Sequence, residues 1–139
     1  MRSTIFILVF SFILFNACNK LNSRSVTIKD LDECMIDLKA YQENMGDLIK
    51  ANQLQDAEWL WQGADSLLQV MNTTFVHHRK LNEKPFSFYY QQKLEKPFKN
   101  IGEAIRLNDT AMALSNYKLL IKKCNSCHID LDIEKEVKY

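Results

Sequence analysis

TAMALSNYKLLIKKCNSCHIDL, residues 110–131, decides the fold. Leu114, Tyr117, Leu120, Ile121, Cys124, Cys127, His128 and Leu131 recur in it at helical spacing. An α-helix turns once in about 3.6 residues, so these positions share one face. The stripe predicts a helix from Thr110 to Leu131, entered through the tight turn Asn108-Asp109-Thr110 with its capping side chain. Three further stretches carry the same period upstream. Asp30 to Lys50 has Leu31, Met35, Leu38, Met45, Leu48 and Ile49 on one side. Gln53 to Phe75 has Leu54, Ala57, Trp61, Ala64, Leu68, Met71 and Phe75. Ser87 to Leu107 has Leu94, Phe98, Ile101 and Ile105, with Pro97 predicting a kink or a late start. Val76 to Pro85 is the longest irregular connection, and Asp130 to Tyr139 is charged and expected to fray. Only 3 Gly and 2 Pro interrupt the chain, which suits helices and not a sheet. Four amphipathic helices with mostly short links predict an all-α, antiparallel four-helix bundle.

Cys124-Asn125-Ser126-Cys127-His128 is a C-x-x-C-H run on the core side of the last helix. Two thiols about one turn apart can add to the two vinyl groups of one porphyrin. The following imidazole, His128, is then placed as axial ligand to the iron, so the run reads as a haem c attachment site. A redox dithiol shares the C-x-x-C element and stays as an alternative. A zinc knuckle would need a second C-x-x-C or a C…H pair, and the sequence has neither.

The N-terminus supplies a compartment that fits this chemistry. Arg2 precedes an apolar run from Ile5 to Phe15, too short for a membrane span of about 20 residues. It ends in Leu14-Phe15-Asn16-Ala17-Cys18, which resembles a bacterial lipoprotein signal. The resemblance implies a signal peptide over residues 1–17, acylation of Cys18, a polar tether over 18–28 and a helical domain over 29–139. A leader cleaved near Ala17 by the ordinary peptidase, or an uncleaved anchor, are the other readings; all export the chain to the bacterial cell envelope, facing the periplasm or on the outer membrane.

About 120 residues then remain, one domain by length. Loss of Arg2 leaves 17 basic against 17 acidic residues. Without a basic tract or a Gly-rich phosphate loop, nucleic-acid binding has no electrostatic support. No Ser-His-Asp grouping or paired carboxylate stands out, so the chain is not expected to be an enzyme. With Cys18 assigned to lipid and Cys124 and Cys127 to haem, Cys34 is left over and reads as a small buried hydrophobe.

The position of the motif narrows the class. No Met follows Met112, so a second iron ligand would come from upstream. A C-terminal C-x-x-C-H on the fourth helix of a bundle resembles cytochrome c′ and its low-spin relatives. The resemblance is tightest from Gln91 to His128, and Asn44-Met45-Gly46-Asp47-Leu48 looks like the family's glycine-containing stretch in helix 1. It implies one covalent haem c, a distal residue at Leu38 or one turn earlier at Met35, and electron transfer or CO/NO binding. Leu38 would leave the iron five-coordinate and Met35 would make it six-coordinate. The family's basic residue before the distal position is replaced here by the region of Cys34 and Met35. Its basic residue after the axial His is replaced by Asp130 and Asp132.

Partners are read as a redox protein or a small gas, with the membrane reached through the lipid. His77 and His78 are minor ligand candidates. Phe86, Phe88, Tyr89 and Tyr90 form an aromatic cluster that packs over the bundle end or docks a partner. Trp59, off the helix 2 seam, is partly exposed, or covers the haem edge or a homodimer face. A haem-free helical lipoprotein acting as an interaction module is the alternative function.

Overall fold

The structure, a computed structural model, describes residues 29–138. The segments expected to be a signal peptide and a tether, and Cys18, lie outside these residues. Four long helices follow one another, with a short 3-10 turn Arg79–Leu81 between the second and third, and among the described residues there is no strand. Helix α1 is Leu31–Lys50 and α2 is Leu54–Thr74. Helix α3 runs without a break through an α-helical turn Phe86–Tyr89, a π-helical stretch Tyr90–Leu94 and an α-helix Glu95–Arg106. Helix α4 is Thr110–Asp130. No described helix is long and apolar enough to cross a membrane.

Local chemistry sets these boundaries. Asp30 and Glu33 form a reciprocal capping box at the start of α1, the Glu33 N–H donating to Asp30 Oδ1 at 2.8 Å. Asp109 caps α4 by accepting from the Met112 N–H at 2.8 Å. Three helices end in one device. After α1, Asn52 is left-handed at φ 57°, with the Asn52 N–H on the Ile49 carbonyl and the Gln53 N–H on the Leu48 carbonyl. After α3, Asn108 at φ 55° repeats the pair, through Ile105 and Ala104. After α4, Asp132 at φ 53° does so through Ile129 and His128. Each is a Schellman motif, which satisfies the orphan carbonyls of the last turn and reverses the chain.

Pro97 is the third residue of the α-helical stretch Glu95–Arg106, close to the late start expected of it. It has no N–H for the carbonyl one turn back, so the α ladder must open there. The π-helical stretch Tyr90–Leu94, closed by the Glu95 N–H on the Tyr90 carbonyl, absorbs the defect just upstream.

The helices pack as α1 on α2, α2 on α3, α3 on α4 and α4 on α1. The core runs through all four, from Leu31 and Met45 through Ala57 and Met71 to Ile101, Ala113 and Tyr117. Each glycine admits an aromatic ring from another helix. A Cβ at Gly46 would overlap the Tyr117 ring, at Gly63 the Tyr41 ring and at Gly102 the Trp61 indole. Tyr117 is buried and accepts from Gln42 Nε2 at 2.6 Å, tying α4 to α1. Trp61 stacks on Phe98 at 5.4 Å and donates from Nε1 to the Phe98 carbonyl at 2.9 Å. Phe86, Tyr89 and Tyr90 of the aromatic cluster are buried, while Phe88 stays exposed under Lys84 Nζ at 4.5 Å. Trp59 is 73% exposed.

The tail is not frayed over its described length. Beyond the Asp132 reversal it lies back along α4, with Leu131 and Val137 packed against the core.

Candidate functional site

Cys124, Cys127 and His128 occupy the last two turns of α4. Positions three and four apart share a face, so the three side chains leave the helix on one side. Cys127 is buried, and Cys124 and His128 are half-buried. Burial pushes the Cys124 thiol up to about 12, with Cys127 adding to it. Burial also raises Cys127, Asp130 adding and Lys93 opposing. The motif sits at the C-terminal end of its helix, where the carbonyl ends of the peptide dipoles disfavour an anion. A redox dithiol needs the reverse, a thiolate favoured by a helix N-terminus or neighbouring cations. Burial and the helix C-terminus both favour the neutral thiols, the reverse of what a redox dithiol needs. Among the described residues no three His, Cys, Asp or Glu side chains converge as metal ligands.

The tail supplies the imidazole's partner. His128 Nδ1 lies 2.6 Å from the Lys135 carbonyl oxygen. A carbonyl only accepts, so Nδ1 carries the proton in this contact and Nε2 of the neutral ring keeps its lone pair. Asn125, inside the motif, pairs with both backbone groups of Val137. Its Nδ2 donates to the Val137 carbonyl at 2.9 Å, and its Oδ1 accepts from the Val137 N–H at 2.7 Å.

Lys93 supplies the second support. From the π-helical stretch of α3, its Nζ donates to Ser126 Oγ at 2.8 Å, to the Ser126 carbonyl at 3.2 Å and to Asp130 Oδ2 at 2.5 Å. All three ammonium donors are thus placed on the motif turn. The two carboxylates after His128 gain separate explanations. Asp130 is the counter-ion of Lys93, and Asp132 is the left-handed residue of the reversal. Tyr89 lies beside the same turn and donates from its hydroxyl to the Leu81 carbonyl at 3.0 Å. Burial raises its phenol, and Cys127 and Asp130 add to the shift.

Helix α1 contributes the remaining candidates. Met35 and Leu38 are half-buried and packed against the core. Cys34 is buried at 2% exposure, and burial raises its thiol, in keeping with a small hydrophobe. His77 is exposed. His78 Nδ1 accepts from the Lys80 N–H at 3.3 Å and its ring meets Phe75 edge-on at 5.8 Å.

Sequence reasoning found the motif and its face but missed Lys93, Asn125 and the tail. A lysine four residues before Pro97 carries no visible signal, because its aim depends on the extra residue of the π turn. Asn125 reads as a spacer until Val137 is brought back to it. No protein-family model, no curated protein and no solved structure matches the chain.

Proposed function

We propose that this chain is an exported, lipid-anchored monohaem c-type cytochrome of cytochrome c′ type, transferring electrons or binding CO or NO. One observation carries the reading. Cys124, Cys127 and His128 leave one face of α4 while the Lys135 carbonyl holds His128 with Nε2 free to donate. Such an outer partner for a ligating histidine is the usual arrangement, since it fixes the tautomer and strengthens the donor. The residues fit the group. Cys124 and Cys127 would hold it as thioethers, His128 would ligate the iron, and half-buried Met35, Leu38 and Leu131 would meet its apolar faces. Haem, when bound, supplies a one-electron couple and, where a coordination position is open, a site for a diatomic gas. The chain itself binds, orients and excludes water. Lys93 holds the motif turn against α3 and neutralises Asp130 beside it.

The antiparallel bundle belongs to the same proposal. Gln42 and Gly46 of α1 meet Tyr117 of α4, and Asn52 meets Thr110. As numbers rise in one helix they fall in the other. Continued toward the motif, that register brings Leu38 level with Cys124 and Met35 level with Cys127. That register supports a distal position at Leu38 or Met35. Leu38, which cannot coordinate, is taken as the distal residue, and five-coordinate iron is expected. A thioether–iron charge-transfer band in the wild type, lost in Met35→Ala, would reassign the site to Met35.

The deciding experiment is the intact mass of the exported protein with a haem stain after denaturation. The mass should exceed the polypeptide by one haem, and a Cys124→Ala, Cys127→Ala double variant should lose the stain. Haem retained by that variant through acid-acetone extraction would overturn the attachment. A colourless wild type would leave a haem-free helical lipoprotein. Anchoring is tested separately by labelled fatty acid, which should enter the wild type and not Cys18→Ser.

A further inference from the structure

We propose that residues 131–138 form a positioning strap for His128, and that Asn125 is the residue that locks it. The inference rests on His128 being the iron ligand and goes beyond it to how the imidazole is held. Three observations converge. The Schellman reversal at Asp132 sends the chain back along α4, with the Ile133 N–H on the His128 carbonyl at 2.9 Å. The Lys135 carbonyl then meets His128 Nδ1, and two residues later Val137 meets the Asn125 amide through both of its backbone groups. Lys135 and Val137 lie two residues apart on the returning segment and engage the helix together. Asn125 and His128 are three apart on α4 and therefore neighbours on its surface.

The amide is suited to this task. It offers one donor and one acceptor in a plane, which matches the N–H and C=O of a single backbone residue. Aspartate would keep the acceptor and lose the donor, and alanine would lose both. Val137 is packed against the core, so the lock also has an apolar seat. With the strap closed, the Lys135 carbonyl fixes both the ring torsion and the site of the proton. With it open, Nδ1 faces water and the ring can turn. Asn125 thus acts on the ligand through the strap.

The test uses the full-length wild-type protein, Asn125→Ala, Asn125→Asp and Val137→Pro. The last removes one strap hydrogen bond without altering α4. Two readouts are taken: amide hydrogen exchange of the C-terminal peptide, and the iron–imidazole stretching frequency of the reduced protein. Loss of the paired bonds should speed exchange over residues 133–138 roughly five- to tenfold in Asn125→Ala, less in Asn125→Asp. The stretching frequency should fall in the same order, and Val137→Pro should reproduce both changes. Faster exchange with an unmoved iron–imidazole frequency would reduce the strap to a structural element and overturn the positioning role. Unchanged exchange would overturn the strap itself. If the wild type carries no haem, the functional reading fails on its own. The strap is then judged by the 15N shifts of His128: a proton on Nδ1, moving to Nε2 in Asn125→Ala, supports it, and a proton on Nε2 in the wild type overturns it.

Discussion

Gly46 shows how a single residue can be read for one reason and matter for another. Its stretch entered the reading through resemblance to a haem-protein family. In the fold, the missing side chain is what lets the Tyr117 ring lie flat against α1. An ordinary helix-interior glycine gains about 0.5–1 kcal/mol on replacement by alanine. Here the neighbour is a buried ring already bonded to Gln42, so it cannot move aside cheaply. Overpacking of this kind costs about 1–3 kcal/mol. Gly46→Ala should therefore lower the urea midpoint, and a raised midpoint would show that the ring relaxes. The same contrast explains what was legible at the residue scale. Stripe residues such as Leu68, Met71 and Ile101 announce their burial by period. Gln42, Gly46 and Lys93 do not, because their roles depend on a partner helix whose approach the local sequence does not contain.

Helix boundaries were the most legible feature, and the reason is chemical. Asp30, Asp109, Asn52 and Asn108 are capping or turn residues placed where the apolar period stops, and the helices begin and end within a residue or two of them. What period and capping could not show was the fate of the chain after α4. Asp132 follows α4 as Asn108 follows α3, yet no helix comes next, so the charged tail reads as loose. The three reversals carry a common prediction. Asn108 and Asp132 hold left-handed φ values that glycine adopts without steric cost. Asn108→Ala should destabilise by about 1 kcal/mol, worth roughly 4–8 °C in thermal midpoint for a domain of this size. Asn108→Gly and Asp132→Gly should be neutral or mildly stabilising. Asn52→Gly should not follow them, because the Asn52 side chain also bonds Thr110 at the start of α4. A drop for Asn108→Gly equal to that for alanine would mean the side chain, and not the backbone conformation, is what the turn requires.

At the scale of the whole molecule, the site was legible as a motif on a core face and illegible as an assembly. Its supports come from α3 and the tail, which only the closed fold brings to α4. That assembly predicts how the domain fails in alkali. Tyr90, at the start of the π-helical stretch, is buried, and burial pushes its phenol up to about 12, with Asp65 and Glu95 adding to the shift. In the unfolded chain a tyrosine ionises near about 10. Above that pH the unfolded state sheds a proton that the folded state keeps, so stability falls as pH rises toward 12. The slope from one such group approaches about 1.4 kcal/mol per pH unit. Cys124 behaves alike but starts lower. As a free thiol, raised to about 12 in the fold, it would begin to destabilise the domain near about 9. A thioether has no proton to lose. Cys34 keeps its raised thiol in every form, so the urea midpoint of the haem-bearing protein should decline gently from about pH 9 and more steeply above about pH 10, the later part shallower in Tyr90→Phe. Haem-free protein with both motif thiols intact should decline more steeply from about pH 9, and a Cys124→Ala, Cys127→Ala double variant should restore the gentler onset. A midpoint flat from pH 9 to 12 in every form would mean that neither group is as deeply held as the packing requires.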